Sequence, residues 1–547
     1  MTAECYPISV LPHLSAIFQE FTEMRSAAAD APVRQFYPCS PFDPCWKQGT
    51  SPRLQPDRGE LVRVLREQNM SWGCGEATIA NLDKLANGAR AVVTGQQVGL
   101  FGGPLLTLMK AATAIRKAQV ASEAGVPHVP VFWMATEDHD LDEVNQAAFL
   151  GKNIEGKAGV EVLRSEFPHH GTREVGSLLL GDAITPVVER AEELLGFAPV
   201  AELLRECYGP GETLASSFAK LITALFREFG LIVIDASRRE FHAMGAPVLK
   251  YALEHADELH DALLANSEAL QAAGFHAQVL IAENSSLLFV VNEQGNRLPL
   301  RRVPRAGGAG REWKAGARVY AQDELLLLLE SEPERLSPNA LLRPVFQDAL
   351  LPTSAYVGGP AEVAYFAQCR VLYERILGVV TPVLPRLSAT LVDEPVRAVM
   401  EQHELSLRDA LEPAGDLLQK LGARAIPIEG KRKIAAAGNA LDAELSQVTQ
   451  WMGAMDEGLG RSAGVAANKM RYQMNRLRRL AANWQVQKET HLAKHAAAVS
   501  DLLFPEGHPQ ERFLAGVALL ARTDVDVPRL LVENAEQDCP GHRVFGV

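Results

Sequence analysis

Glu137-Asp138-His139-Asp140 puts three carboxylates and an imidazole into four consecutive residues. That density suits removal of a proton from an attacking amine, or Mg²⁺ held between carboxylates and phosphate. A solvated acidic loop, or an acidic run capping a helix that starts at Leu141, is the competing reading; its place directly after an apolar stretch favours chemistry. One histidine with no partner at i+3 or i+4 does not make a zinc motif. The second candidate is the loop 95–103, where Gly95, Gly99, Gly102 and Gly103 surround the paired amides of Gln96 and Gln97. Glycine loops between a strand and a helix bind anions because backbone N–H groups and the helix dipole converge there. This loop is neither G-x-G-x-x-G nor a Walker sequence, and a tight turn needing glycines for geometry accounts for it equally well. Gln96 and Gln97 offer donors and acceptors to a polar ligand. Lys110, about two turns into the following helix, would by default be a solvated surface lysine.

Gly358-Gly359-Pro360-Ala361-Glu362 repeats the glycine turn and prolyl helix start, with Tyr365 three residues beyond Glu362 on the same helical face. An ordinary helix entry with a packed tyrosine has the same pattern. Arg343 and Arg386 could each grip a carboxylate bidentately. The basic run Lys469, Arg471, Arg476, Arg478 and Arg479 reads as a solvated coiled-coil face, and His169, His170 and His508 as surface or satisfied core residues.

These residues need a scaffold, and the pattern around them supplies one. Residues 91–94 are a short apolar run suited to a buried strand. From Pro104, apolar positions at Leu105, Leu108, Met109, Ala112, Ile115 and Ala118 follow helical spacing until Gly125-Val126-Pro127. A second apolar run, 129–135, then leads into the acidic cluster. The result is a β-loop-α-β unit with both polar loops after strand ends, an α/β signature. A helix over 213–229 followed by a strand at 231–235 repeats it. Residues 274–320 predict a β-rich insertion with strands at 278–281, 286–291 and 318–320, and residues 379–386 predict an extended segment near a sheet edge. Residues 14–29 predict an early helix. Beyond Leu391 the chain turns helical. Leu441, Leu445, Val448, Met452, Met455 and Leu459 form a heptad seam, interrupted by glycines at 458, 460 and 464, and a second helix runs over 465–503. At ~1.5 Å per residue that second arm is roughly 55 Å long, and an arm of that length finds its simplest partner in a second protomer.

Composition narrows the function classes. Over 547 residues the net charge is −13, which leaves no large electrostatic footprint for nucleic acid. No run approaches membrane-spanning length and the N-terminal residues lack a basic, then apolar, signal pattern, so a cytoplasmic protein is expected. Seven cysteines, at 5, 39, 45, 74, 207, 369 and 539, are odd in number and irregular in spacing, with no C-x-x-C pair. That pattern indicates neither a disulfide framework nor a zinc site.

Four separated segments, TGQQVGLFGGPLLTLMK (94–110), PVFWMATEDHD (130–140), YVGGPAEVAYF (356–366) and FPEGHPQER (504–512), together resemble the BshC family, the cysteine-adding enzymes of bacillithiol biosynthesis. The resemblance implies a Rossmann-like core over 1–390 with inserted segments near 150–212 and 274–335, an α-helical coiled-coil domain over 391–505 that mediates dimerisation, and a tail over 506–547 that packs on the core. It implies no dedicated metal site. It also implies the last step of the pathway, a carbon–nitrogen ligation joining cysteine to the glucosamine amine of glucosaminyl-malate. Amide formation in water needs an activated acyl group, most simply from ATP, with or without Mg²⁺. On this reading Asp138, His139 and Glu137 are the catalytic candidates. Gln96, Gln97, Gly99, Gly103, Lys110, Asp140, Arg343, Gly358, Gly359, Glu362, Tyr365 and Arg386 are the candidates for binding nucleotide or substrate. The alternatives are an enzyme that only forms an adenylate and a non-catalytic dimeric scaffold.

Overall fold

The computed structural model describes residues 3–25, 28–152, 158–167, 171–304, 311–536 and 539–547; His169 and His170 lie outside them. The chain forms two compact units, the first made of Met1–Phe149, Val162–Thr390 and Glu511–Phe545, the second of Leu150–Glu161, Leu391–Gln510 and Gly546–Val547.

A five-stranded sheet centres the first unit. Its strands are β1 (Arg90–Gln96), β2 (His128–Met134), β3 (Ile232–Asp235), β4 (Thr353–Gly358) and β5 (Val383–Pro385). Their spatial order is β5-β4-β1-β2-β3 and every pairing is parallel. All seven residues of β2 are buried, so both faces of the sheet are covered, as a parallel sheet requires. Helix α1 (Leu106–Glu123) joins β1 to β2, and its Ala114, Ala118 and Ala121 pack with Val92, Ala355, Val357, Leu384 and Trp46. Small residues on that helix let it sit close to the sheet. The order reverses between β1 and β4. At such a switch point the loops leaving the carboxyl ends diverge and open a crevice.

Helices α2 (Arg239–Glu254), α3 (Arg343–Leu350) and α4 (Pro360–Ile376) complete the surroundings of that crevice. The entry to α3 is fixed by Asn339, whose side-chain oxygen accepts from the backbone N–H groups of Leu341 and Leu342. Between β3 and β4 lies an antiparallel five-stranded insertion, in the order 318–321, 311–315, 297–304, 285–291 and 336–338. Two of these strands, Arg297–Pro304 and Arg311–Ala315, depart from expectation, as does the irregular backbone at 278–281. Arg297, Arg301, Arg302 and Pro299 mask the alternation in the first of them, although Leu300 still points into the core. The early helix is shorter than expected, Ala16–Thr22.

The cysteine expectation is corrected: Cys5 is disulfide-bonded to Cys539, and Cys39 to Cys45. Spacing could not reveal the first pair, because the cysteines meet only when strand Ala3–Tyr6 pairs antiparallel with residues 542–545.

In the second unit, α5 (Ile428–Met455) and α6 (Glu457–Lys488) form a helical hairpin. Its turn is at Asp456, whose carboxylate caps α6 by accepting from Leu459 N, and not at the glycines. Gly458, Gly460 and Gly464 lie inside α6. A Cβ on Gly460 would stand 2.7 Å from the Gly453 Cα, so Gly460 serves close helix approach, whereas a Cβ on Gly464 would meet nothing within 4 Å. The second arm also stops earlier than expected, at Lys488, before a separate helix His491–Leu503. Val448, Met455, Met470, Leu477, Leu480 and Trp484 are exposed along the hairpin. Among the described residues no helix is long and apolar enough to cross a membrane.

Candidate active site

A cavity of about 520 Å³ opens at the switch point, lined from the carboxyl ends of β1, β2 and β4, the first turns of α3 and α4, the antiparallel insertion and Arg512. Of the residues singled out in the sequence, Gln96, Gln97, Lys110, Glu137, Asp138, His139, Arg343, Gly359, Glu362, Tyr365 and Arg386 line it. Gly99, Gly103, Asp140 and Gly358 do not. The glycine loop folds on itself: a Cβ on Gly99 would lie 2.9 Å from the Gly103 Cα, and Val98 before them and Leu100 and Phe101 between them are fully buried. Its glycines serve that tight packing, and the amides at its start are what reach the cavity.

Lys110 is not a surface lysine; it is 4% exposed. Its ammonium has three donors, and three acceptors surround it: Gly95 O at 2.7 Å, Gln96 Oε1 at 2.8 Å and a Glu362 carboxylate oxygen at 2.5 Å. It therefore staples the end of β1 to the start of α4 across the switch point. Burial pushes its pKa down and outweighs the support of Glu362. Glu362 also accepts from Gly359 N at 2.8 Å and from the Tyr356 hydroxyl at 2.5 Å. Burial alone would raise this carboxyl; Lys110 and the Gly359 N–H hold it below the usual range.

Arg386 is likewise taken by a protein carboxylate. Its guanidinium grips Glu511 through both terminal nitrogens, at 2.5 and 3.1 Å, and Glu511 also accepts from Ser388 Oγ and Ala389 N. Burial would raise the Glu511 carboxyl, but Arg386 brings it down to about 2. The expected bidentate grip of Arg386 on a ligand is thus directed inward.

Arg343 and Arg512 differ. Arg343 donates to Gln347 Oε1 and to the Tyr365 hydroxyl, each at 2.9 Å, both neutral acceptors. Arg512, though exposed, lines the cavity and makes no hydrogen bond or ion pair among the described residues; partial desolvation and then the charge of Arg386 lower its pKa against the nearby Glu511, Glu362 and Glu143 carboxylates. Two guanidiniums without a carboxylate partner thus face one cavity, a setting for an anionic ligand.

The other side is acidic. Gln97 Nε2 donates to Asp138 Oδ2 at 3.0 Å and to Glu143 Oε2 at 2.7 Å, while Asp138 Oδ1 accepts from His139 N at 2.8 Å. Burial raises the Glu143 carboxyl. The His139 ring lies 5.8 Å from Phe289, over which the Arg297 guanidinium stacks at 3.8 Å. Arg297 is held by Ser337 Oγ and Pro338 O. Sequence reasoning did not single out Tyr356, Phe289, Arg297, Glu143 or Arg512. Tyr356 and Arg512 carried a signal, as the first residue of the segment 356–366 and the last of the segment 504–512.

The geometry is that of a polar cavity lined by both guanidiniums and carboxylates, built on a doubly wound sheet. Known proteins give it a family. Residues 1–387 match the model of the bacillithiol biosynthesis BshC N-terminal Rossmann-like domain, and residues 389–545 that of the BshC C-terminal coiled-coil domain. The chain belongs to the BshC family. Relatives named "Putative cysteine ligase BshC" include those of Koribacter versatilis, 38% identical over 100% of both chains, and Solibacter usitatus, 33% identical over 100% of both. That of Salinibacter ruber is 32% identical over 90% of this chain and 89% of its own. In BshC terms the cavity draws almost entirely on the Rossmann-like region. Arg512, and Glu511 behind Arg386, come from the sequence matched by the coiled-coil model yet fold into the first unit.

Proposed function

We propose that this chain is an ATP-dependent ligase that joins the carboxyl group of cysteine to the glucosamine amine of glucosaminyl-malate, giving bacillithiol. The observation that carries the reading is the pairing of two guanidiniums lacking carboxylate partners, Arg343 and Arg512, with a carboxylate-rich wall in one cavity. The substrate carries groups for both, a malate dicarboxylate for the guanidiniums and an amine for the carboxylates. Arg343 and Arg512 receive the malate. Gln96, Gln97 and the backbone around Gly359 bind hydroxyls or phosphate oxygens, and the wall of Glu137, Asp138 and His139 takes the proton of the attacking amine.

ATP activates the cysteine carboxylate by forming an acyl–oxygen bond to phosphorus, with release of pyrophosphate or ADP. The amine nitrogen then forms the amide bond as AMP or phosphate leaves with the acyl–oxygen electron pair. Among the described residues no group of three His, Cys, Asp or Glu side chains is arranged to hold a metal ion by itself. A Mg²⁺ in this reaction would come with the nucleotide phosphates. The exposed apolar side chains of α5 and α6 support a homodimer formed through the hairpin.

The test is mass spectrometry of purified protein with ATP, cysteine and glucosaminyl-malate. A product of bacillithiol mass, dependent on enzyme and ATP, supports the reading, and AMP or ADP names the activation route. Pyrophosphate without amide would reassign the chain as adenylate-forming, and folded protein that binds neither ATP nor cysteine would make it a scaffold.

A further inference from the structure

Behind the acidic wall lies a buried imidazole that nothing above uses. His242, in the first turns of α2, is fully buried, and its Nδ1 lies 2.9 Å from Leu336 O. A carbonyl oxygen only accepts, so Nδ1 carries a proton. The other ring nitrogen, Nε2, lies at ion-pair distance, 2.9 Å, from Glu137 Oε1, and neither atom makes a hydrogen bond of good geometry among the described residues. Two lone pairs would repel at that distance. One of the two groups must therefore be protonated, leaving either an imidazolium beside a carboxylate or a carboxyl beside a neutral imidazole.

We propose that His242 is a positioning residue that holds this proton against Glu137, keeping Glu137 ionised and making it the group that deprotonates the substrate ammonium. The proposal rests on the ligase reading for its substrate. Glu137 lines the cavity, and among the described residues its carboxylate accepts no hydrogen bond, the His242 ring being its one ion-pair contact. Asp138, by contrast, has one oxygen on the Gln97 amide and the other on the His139 N–H, so it shapes the loop.

The backbone of the Glu137 loop is clamped. Gly176 N donates to Thr136 O at 3.0 Å and Val175 N to Asp138 O at 2.7 Å, while Thr136 Oγ1 donates to Asp235 Oδ1 at 2.6 Å. The charged groups facing the pair are Glu174 from that clamp, Asp138, Asp235 and Arg297. Burial, and then the charge of Glu137, raise the Glu174 carboxyl to about 8. Burial would lower His242, but Glu137 raises it above its ordinary value. In the proton step the substrate N–H bond breaks, its electron pair stays on nitrogen, and the proton moves to the Glu137 carboxylate. His242 keeps its own proton throughout.

The test is the pH profile of kcat/KM for amide formation in wild type, Glu137→Gln, His242→Asn and Asp138→Asn. Glu137→Gln should lose more than 100-fold at every pH. His242→Asn should shift the acidic limb upward by about one unit while leaving KM for ATP unchanged, a shift that a merely structural role would not produce. Asp138→Asn should keep the limb in place. An unmoved limb in His242→Asn, or an active Glu137→Gln, overturns the proposal. If wild type makes no product, the ligase reading fails and the pair is judged separately by ¹⁵N NMR of the ring nitrogens. The His242 signals, identified by their loss in His242→Asn, should show a protonated Nδ1 and a titration that Glu137→Gln moves downward. The same titration in both proteins overturns the pair.

Discussion

Two sets of charges face the same cavity and are handled differently. Lys110 and Arg386 are buried and matched inside the chain, the first by Glu362 and the second by Glu511. Among the described residues the Arg343 guanidinium hydrogen-bonds a tyrosine hydroxyl and an amide oxygen and lies 5.8 Å over the Tyr356 ring, and Arg512 makes no hydrogen bond or ion pair. A buried charge with a partner holds the fold; a partly desolvated charge without one has an unmet interaction that a ligand can supply. The first set should therefore register in stability and the second in substrate use.

The largest effect is expected from breaking the matched set. Arg386→Met strands Glu511 and should cost about 3–5 kcal/mol in chemical denaturation, most of it recovered when Glu511→Leu removes the second charge. The pair also has a pH signature. Glu511 is depressed to about 2, so its contribution is fully present above the ordinary glutamate value of about 4.3 and is lost as pH falls through about 2. Glu511→Gln should flatten the acid-unfolding curve in that window. If Arg386→Met melts like wild type, the division into two sets is wrong.

Next in size is Arg512→Ala. Losing one charge-assisted contact to an anion should reduce kcat/KM for glucosaminyl-malate by about 30–100-fold, roughly 2–3 kcal/mol, with the denaturation midpoint nearly unchanged. Smaller again is Tyr365→Phe, which removes one neutral acceptor from Arg343 and should cost about 1 kcal/mol in the same kinetic constant. The smallest effect on the first unit should come from Leu480→Glu with Trp484→Glu on the exposed face of α6. Sedimentation should show a dimer become a monomer, while thermal unfolding of the first unit moves by less than about 0.5 kcal/mol.

The part of this contrast that was readable in the sequence is the scaffold. Continuous apolar strands and a helix-period stretch between them placed β1, α1 and β2 within a residue or two, because each is buried enough for its pattern to be unambiguous. The identity of each charge's partner was not readable. Arg343 and Arg386 look alike as isolated arginines. What separates them is Glu511, 125 positions beyond Arg386 and brought to it only by the returning C-terminal segment. Lys110 looked solvated because nothing in its helix says that a carboxylate from α4 will cap it. The glycines at 458, 460 and 464 looked like a turn, whereas the Asp456 carboxylate caps the start of the second arm and, of the three, Gly460 lets the two arms approach. In each case the local residue was legible and the distant neighbour was not.

The most direct test of the account compares glucosaminyl-malate with glucosamine as amine acceptors in wild type and Arg512→Ala, following amide product by mass spectrometry. Wild type should strongly prefer the malate-bearing amine, and Arg512→Ala should lose most of that preference while still acylating both. Equal use of the two amines by wild type, or an unchanged preference in Arg512→Ala, would contradict the assignment of the open arginines to the anionic end of the substrate.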